Sequence, residues 1–222
     1  MIIDLCGLPA SGKSFFSREF CKVYKEKNEI VFHDFILFDR NSFIGKVWHT
    51  LAYSFIRKSN KYKKLINLLT EFAKGKPKLN ADHSLSFFAQ RIIFLKINYL
   101  LAKKLHFNMF VNEGISQSLV VLAVEFSLSN EQFLNLVVSI IPESIDCFVY
   151  EISIKDCISE FKKRNRHITF IDELEGEQLL DFLNNFKKYL DMLQNNKRFT
   201  ILRRDNGFDR NYRRVIESEK NI

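Results

Sequence analysis

Glycine and proline are scarce in this chain, 7 and 3 of 222 residues, and cysteine occurs four times. Cys6, Cys21, Cys147 and Cys157 have neither the spacing of a metal cluster nor the density of a disulfide framework. A zinc module and a disulfide scaffold are excluded, and reduced core thiols in a cytoplasmic protein are expected. No run of about 18 apolar residues occurs, so neither a transmembrane helix nor membrane insertion is expected. The opening MIIDLC lacks the basic n-region and cleavage site of a secretory signal. Repeats and low-complexity linkers are also missing, and 1–222 is read as a single domain. Phenylalanine, by contrast, occurs 23 times, a bias read as genomic and without functional meaning.

What is present is an ordinary globular balance: 46% hydrophobic and 27% charged residues. The net charge is +8, which suits a phosphate-rich ligand. Basic residues are denser at 57–64, 162–166 and 197–214, yet the excess is spread along the chain. A spread excess describes a solvated surface better than a docking stripe, so nucleic acid is not the expected partner. Oligomeric state is open, a homodimer included.

The pattern along the chain alternates strand and helix. Residues 2–6 form a short apolar strand, followed at once by a glycine-rich turn. Phe16, Phe20, Val23 and Tyr24 then recur at helical spacing. Ile30 to Phe35 reads as a second strand, and residues 43–105 as mostly helical, with Asp82 as N-cap of a helix over 82–105. Strands are expected at 107–111, 145–151 and 199–202, separated by helices. Five strands with intervening helices imply an α/β fold, an open parallel sheet covered on both faces. Its ligands belong at the carboxyl ends of the strands.

Gly7-Leu8-Pro9-Ala10-Ser11-Gly12-Lys13-Ser14 matches the phosphate-binding loop G-x-x-x-x-G-K-[ST] at every fixed position. The match lies directly after a strand and directly before a helix, which is the context that confirms it. Gly7 and Gly12 permit the torsions that turn backbone amides inward as an anion nest. Phe15 follows in the first helical turn, whose dipole and free N–H groups favour phosphate. Lys13 supplies charge between the β- and γ-phosphates, and Ser14 a hydroxyl for Mg²⁺. The loop therefore predicts a bound nucleoside triphosphate, ATP, with Mg²⁺.

Other candidates are placed by position. The third strand ends in Asn112-Glu113, where a metal-organising aspartate is expected; Asn112 is neutral and binds Mg²⁺ poorly. Glu113 is the alternative, as a metal-water ligand or as a base toward the acceptor. Asp34 ends the second strand and is a second candidate base, with Asp39 and Arg40 as substrate-binding candidates. Arg91, in the long helix, is a further substrate candidate. Lys162 to His167 forms a basic segment after the fourth strand. Arg164 and Arg166 in it suit a lid, 162–172, that closes on the transferring phosphoryl group.

These residues and their order resemble the P-loop kinases of the nucleoside and nucleoside-monophosphate kinase group. GLPASGKS opens the chain as it does there, a helical insertion follows the second strand, and FKKRNRH follows the fourth. The EGISQS stretch looks like kinase-like proteins of bacterial surface-polysaccharide gene clusters, which carry Asp-Glu-Gly-x-x-Gln at that place. The resemblance implies strand order 2-3-1-4-5, ATP as donor, Mg²⁺ as cofactor and transfer to a small hydroxyl or phosphate. It also implies that 43–105 covers the acceptor. Two departures stand out: Asn112, and the lack of an Asp-Arg-Ser or Glu-Arg-Ser signature after the third strand. The expected activity is a small-molecule phosphotransferase. The rivals are an ATPase or nucleotide-gated binding module without an acceptor, and a polynucleotide kinase.

Overall fold

Alternation along the first strand decides how the sheet is covered. Ile3 and Leu5 point to one face, Ile2, Asp4 and Cys6 to the other, and all five are buried. A strand apolar on both sides needs helices on both sides. The computed structural model describes residues 1–26, 31–33, 54, 56, 58–74, 84–164 and 170–219. In it β1 (Ile2–Gly7), β2 (Val31–His33), β3 (Asn108–Val111), β4 (Asp146–Glu151) and β5 (Phe199–Arg203) form one sheet. All neighbours pair parallel, in the order β2-β3-β1-β4-β5 that the resemblance implies.

On one face lie α1 (Lys13–Glu26) and α8 (Gly207–Glu219). Phe16, Phe20 and Tyr24 of α1 and Val215 of α8 pack there on Ile3, Leu5, Phe110 and Phe148. The other face carries α3 (Leu85–Lys104), α4 (Ile115–Glu125), α5 (Asn130–Ile140) and α7 (Gly176–Gln194). Their buried side chains include Ile92, Tyr99, Leu119, Leu136, Leu183 and Phe186, over Ile2, Cys6, Met109, Val149 and Phe199. The chain therefore leaves β1 and β3 toward opposite faces, which opens a crevice at their carboxyl ends. Two further α-helices are α2 (Asn60–Ala73), beside α3, and α6 (Ile154–Arg164), after β4.

The helix expected over 82–105 is shorter at its start. Ser84, in extended backbone, caps α3 by accepting a hydrogen bond from the Phe87 amide at 3.1 Å. Asp82, the expected cap, lies outside the described residues, as do 75–83 generally and most of 34–57. α3 is also long and apolar enough to cross a membrane by length and composition, although about half of that span is buried inside the protein. Its place is the core, between the sheet and α2. All four cysteines are free and buried.

Candidate functional site

The turn after β1 is held first by its own backbone and by the Lys13 side chain. The Ser11 amide bonds the Leu8 carbonyl at 3.3 Å, and the Phe15 and Phe16 amides both reach Gly12 O at 3.0 Å. Gly12 has φ +97°, a conformation that a side chain would strain. Ala10 at φ +60° takes the left-handed region despite its methyl group. Lys13 folds back into the loop, donating to the carbonyls of Gly7 at 2.9 Å and Leu8 at 2.7 Å. It is only 5% exposed. Burial pulls its ammonium down from the usual 10.5 to about 8, with Arg164 adding a smaller repulsion and Glu113 opposing both. Ser14 and Phe15 are exposed, and Leu8 is buried. Cys157 of α6 supports the loop from outside, its thiol 2.9 Å from the Pro9 carbonyl.

Residues 112–118 face this loop and are fixed from below. Asp4 of β1, fully buried, accepts hydrogen bonds from the Ile115 amide at 2.7 Å, the Ser116 amide at 3.3 Å, the Ser116 hydroxyl and the Tyr99 hydroxyl at 2.9 Å. Two of these donors are free amides at the start of α4, so the carboxylate serves as its cap. Burial still pushes the Asp4 carboxyl above its usual value. Gly114 is the close approach that allows this: a Cβ there would overlap the Asp4 carboxylate and the Tyr99 hydroxyl.

Two side-chain amides then reach the phosphate loop. Asn112 donates to the Ser14 hydroxyl at 2.7 Å. Gln117 accepts from the Gly7 amide at 3.0 Å. From α3, Arg91 donates to the Glu113 carbonyl at 2.9 Å and to the Ser118 hydroxyl at 3.1 Å. Its guanidinium also stands 3.8 Å from the Glu113 carboxylate, whose side chain is 60% exposed.

One cavity of about 370 Å³ joins these parts. Pro9 to Ser14 form its floor, Arg91, Glu113 and Gln117 one wall, and Arg164 an edge. Away from the loop it is lined by Phe87, Phe88, Phe170, Phe182 and Phe186, with Glu125 and Asp172. Of the sequence candidates, Lys13, Ser14, Arg91, Glu113 and Arg164 thus meet around one space. Asp34, Asp39, Arg40 and Arg166 lie outside the described residues. Asp4, Gln117 and the phenylalanine wall were not marked by the sequence, although Gln117 sits inside EGISQS.

Among the described residues no group of three or more His, Cys, Asp and Glu side chains stands ready for a metal. The Ser14 hydroxyl and the exposed Glu113 carboxylate are oxygen donors beside the loop. A hard cation that arrives on phosphates and keeps most of its waters needs no more than this, so Mg²⁺ fits.

No protein-family model matches this chain, and no curated protein matches it in sequence. Among solved structures, deoxyadenosine kinase from M. mycoides, with products dCMP and dCDP bound, aligns over all of both chains at 14% identity with TM-score 0.50. The same enzyme with bound dCTP and with bound dATP aligns at 16% identity with TM-score 0.47, too low to add weight. The first likeness shows the fold alone: this chain is folded like that enzyme.

Proposed function

We propose that the protein is an ATP-dependent kinase that phosphorylates a small organic hydroxyl compound or phosphate. One observation carries the reading. The cavity does not stop at the phosphate loop but continues into a phenylalanine-lined space. Hydrolysis by water requires no such room, whereas a carbon-built acceptor does.

In this reading residues 7–14 hold the triphosphate on inward-facing amides, at the positive end of α1. Lys13 exchanges its bonds to the Gly7 and Leu8 carbonyls for phosphate oxygens, and gains charge stabilisation by doing so. Ser14 and Glu113 would hold Mg²⁺, which when bound would neutralise charge on the phosphates. The acceptor lies between α3, α4 and α7, covered by the helical segment 43–105. Its oxygen forms the new bond to the γ-phosphorus as the bond to the β-γ bridging oxygen breaks. The hydroxyl proton passes to Glu113 or Asp34, and ADP leaves. Arg91 keeps Glu113 in place through its carbonyl and carboxylate contacts. Arg164 and Arg166, on the lid 162–172, stabilise the transferring charge. The free, buried cysteines suit a cytoplasmic site of action.

Nucleosides are the first acceptors to test, because the protein of like fold is a deoxyadenosine kinase and phenylalanine faces suit flat bases. The chain lacks that group's Arg-Ser signature after β3, so a metabolite pool and nucleic-acid ends belong in the same assay. With Mg²⁺ and γ-labelled ATP, label should move to a small compound, and not with Lys13→Ala. Label released only as phosphate would replace the kinase with an ATPase. Label on nucleic-acid ends would replace it with a polynucleotide kinase.

A further inference from the structure

Asn112 and Gln117 are five positions apart on one segment, and each holds one end of the phosphate loop. The ladder between β1 and β3 ends at the pair Asp4 and Val111. Beyond it the strands part, and Gly7 on that edge has no strand partner from β3. Gln117, 7% exposed, supplies the missing acceptor with its side-chain oxygen, 3.0 Å from the Gly7 amide. An unpaired buried amide at this place would be costly.

Asn112 follows the last residue of β3, so the ladder sets its position. It donates to the Ser14 hydroxyl at 2.7 Å. Ser14 is exposed into the cavity, and this bond selects one of its three staggered rotamers. The bond occupies one lone pair of the Ser14 oxygen and leaves the other for a further partner. A carboxylate in the same place would bring a negative charge to the cation. The amide brings none.

We propose that Asn112 and Gln117 form an amide clamp, two positioning residues that hold the last and first residues of the phosphate loop in their nucleotide-ready places. Gln117 acts on the loop's grip on phosphate, independently of metal. Asn112 acts on the Ser14 hydroxyl, and hence on the contribution of a divalent cation. Both statements rest on the nucleotide site proposed above. Because the clamp is neutral, cation affinity comes with the nucleotide rather than preceding it.

The test measures ADP affinity by calorimetry, with excess Mg²⁺ and with chelator, on the full chain and its variants. Gln117→Ala should weaken metal-free ADP binding about tenfold, the worth of one well-placed hydrogen bond, and leave the gain from Mg²⁺ unchanged. Asn112→Ala should leave metal-free binding within about twofold and reduce the Mg²⁺ gain about tenfold. Gln117→Glu keeps an acceptor for Gly7, and Asn112→Asp keeps an oxygen that the Ser14 hydroxyl can bond. Asn112→Asp should raise the Mg²⁺ gain about tenfold or more, by adding a nearby charge. Gln117→Glu should weaken metal-free ADP binding through repulsion while the melting temperature holds. Any variant set in which both changes spread equally over metal-free and metal-dependent binding overturns the clamp. If wild-type protein binds ADP but all variants match it, the clamp alone is overturned; if wild type binds no ADP, the nucleotide site falls as well.

Discussion

Lys13 is held by carbonyls rather than by a carboxylate, and that choice has a consequence for pH. Burial leaves its folded-state pKa at about 8, below the unfolded value near 10.5. Between those values the unfolded chain binds more protons, so this group's penalty on the free protein is full below pH 8 and fades as pH rises to 10.5. Phosphate oxygens at the loop would reverse the shift. ADP binding at pH 8 should therefore take up about half a proton, and affinity should fall as pH rises past 8. Calorimetry in buffers of different ionisation enthalpy reads this uptake directly. Lys13→Met should abolish it; uptake that survives would place the linked group elsewhere. Asp4 is the opposite kind of buried charge, surrounded by donors. Asp4→Ala strands two hydroxyls and two amides and should cost about 3 kcal/mol or more in urea unfolding. Asp4→Asn can still accept three of those bonds and donate to the Ser116 hydroxyl, so it should cost under about 2 kcal/mol. Equal losses would show that the carboxylate's charge, not its acceptor capacity, secures the cap.

At the scale of elements, the start of α4 carries the site. Gly114→Ala would set a methyl group into the Asp4 carboxylate and Tyr99 hydroxyl, so the β3–α4 turn must move away from β1 and α3. The expected cost is about 2–3 kcal/mol of stability together with weaker ADP binding, because Asn112 and Gln117 move with that turn. Stability lost with binding intact would detach the turn from the site. At the end of α6, Arg164→Ala should lower turnover more than ATP affinity; a loss confined to affinity would remove it from phosphoryl transfer. The sequence made much of this legible. The loop was read residue by residue, since each fixed position there answers a local torsion or charge requirement. β1, β3 and β4 were legible as apolar runs, and α1 by the helical spacing of Phe16, Phe20, Val23 and Tyr24, because both signals depend on neighbours in the chain. Asp4 was not, since an acid within a strand gains meaning only from Ser116 and Tyr99, 112 and 95 residues away. Gln117 escaped for the same reason, its partner Gly7 being 110 residues distant. Asn112 was legible as a departure, but not as a donor to Ser14. The Ser84 cap was missed because Asp82 offers the same local chemistry two positions earlier.

Over the whole molecule, the site ties together elements that the sheet otherwise keeps apart. The phosphate loop leads into α1 on one face, while α3, α4 and α7 cover the other, and the cavity is bounded by both groups. A ligand bridging them should stabilise the fold as a unit. With ADP at about 100 times its dissociation constant, the gain is about 2.7 kcal/mol. For a chain of this size that corresponds to about 5–10 °C in melting temperature. The gain should not be uniform. Amide exchange should slow most at 7–16 and 112–118, and along the α6 and α7 residues that line the cavity. It should change least at α8, which packs on the sheet face away from α3, α4 and α7. Lys13→Ala should lose both the temperature shift and the pattern. A shift with protection spread evenly, α8 included, would mean that ADP stabilises by general binding, and that loop and helices do not close around it as one site.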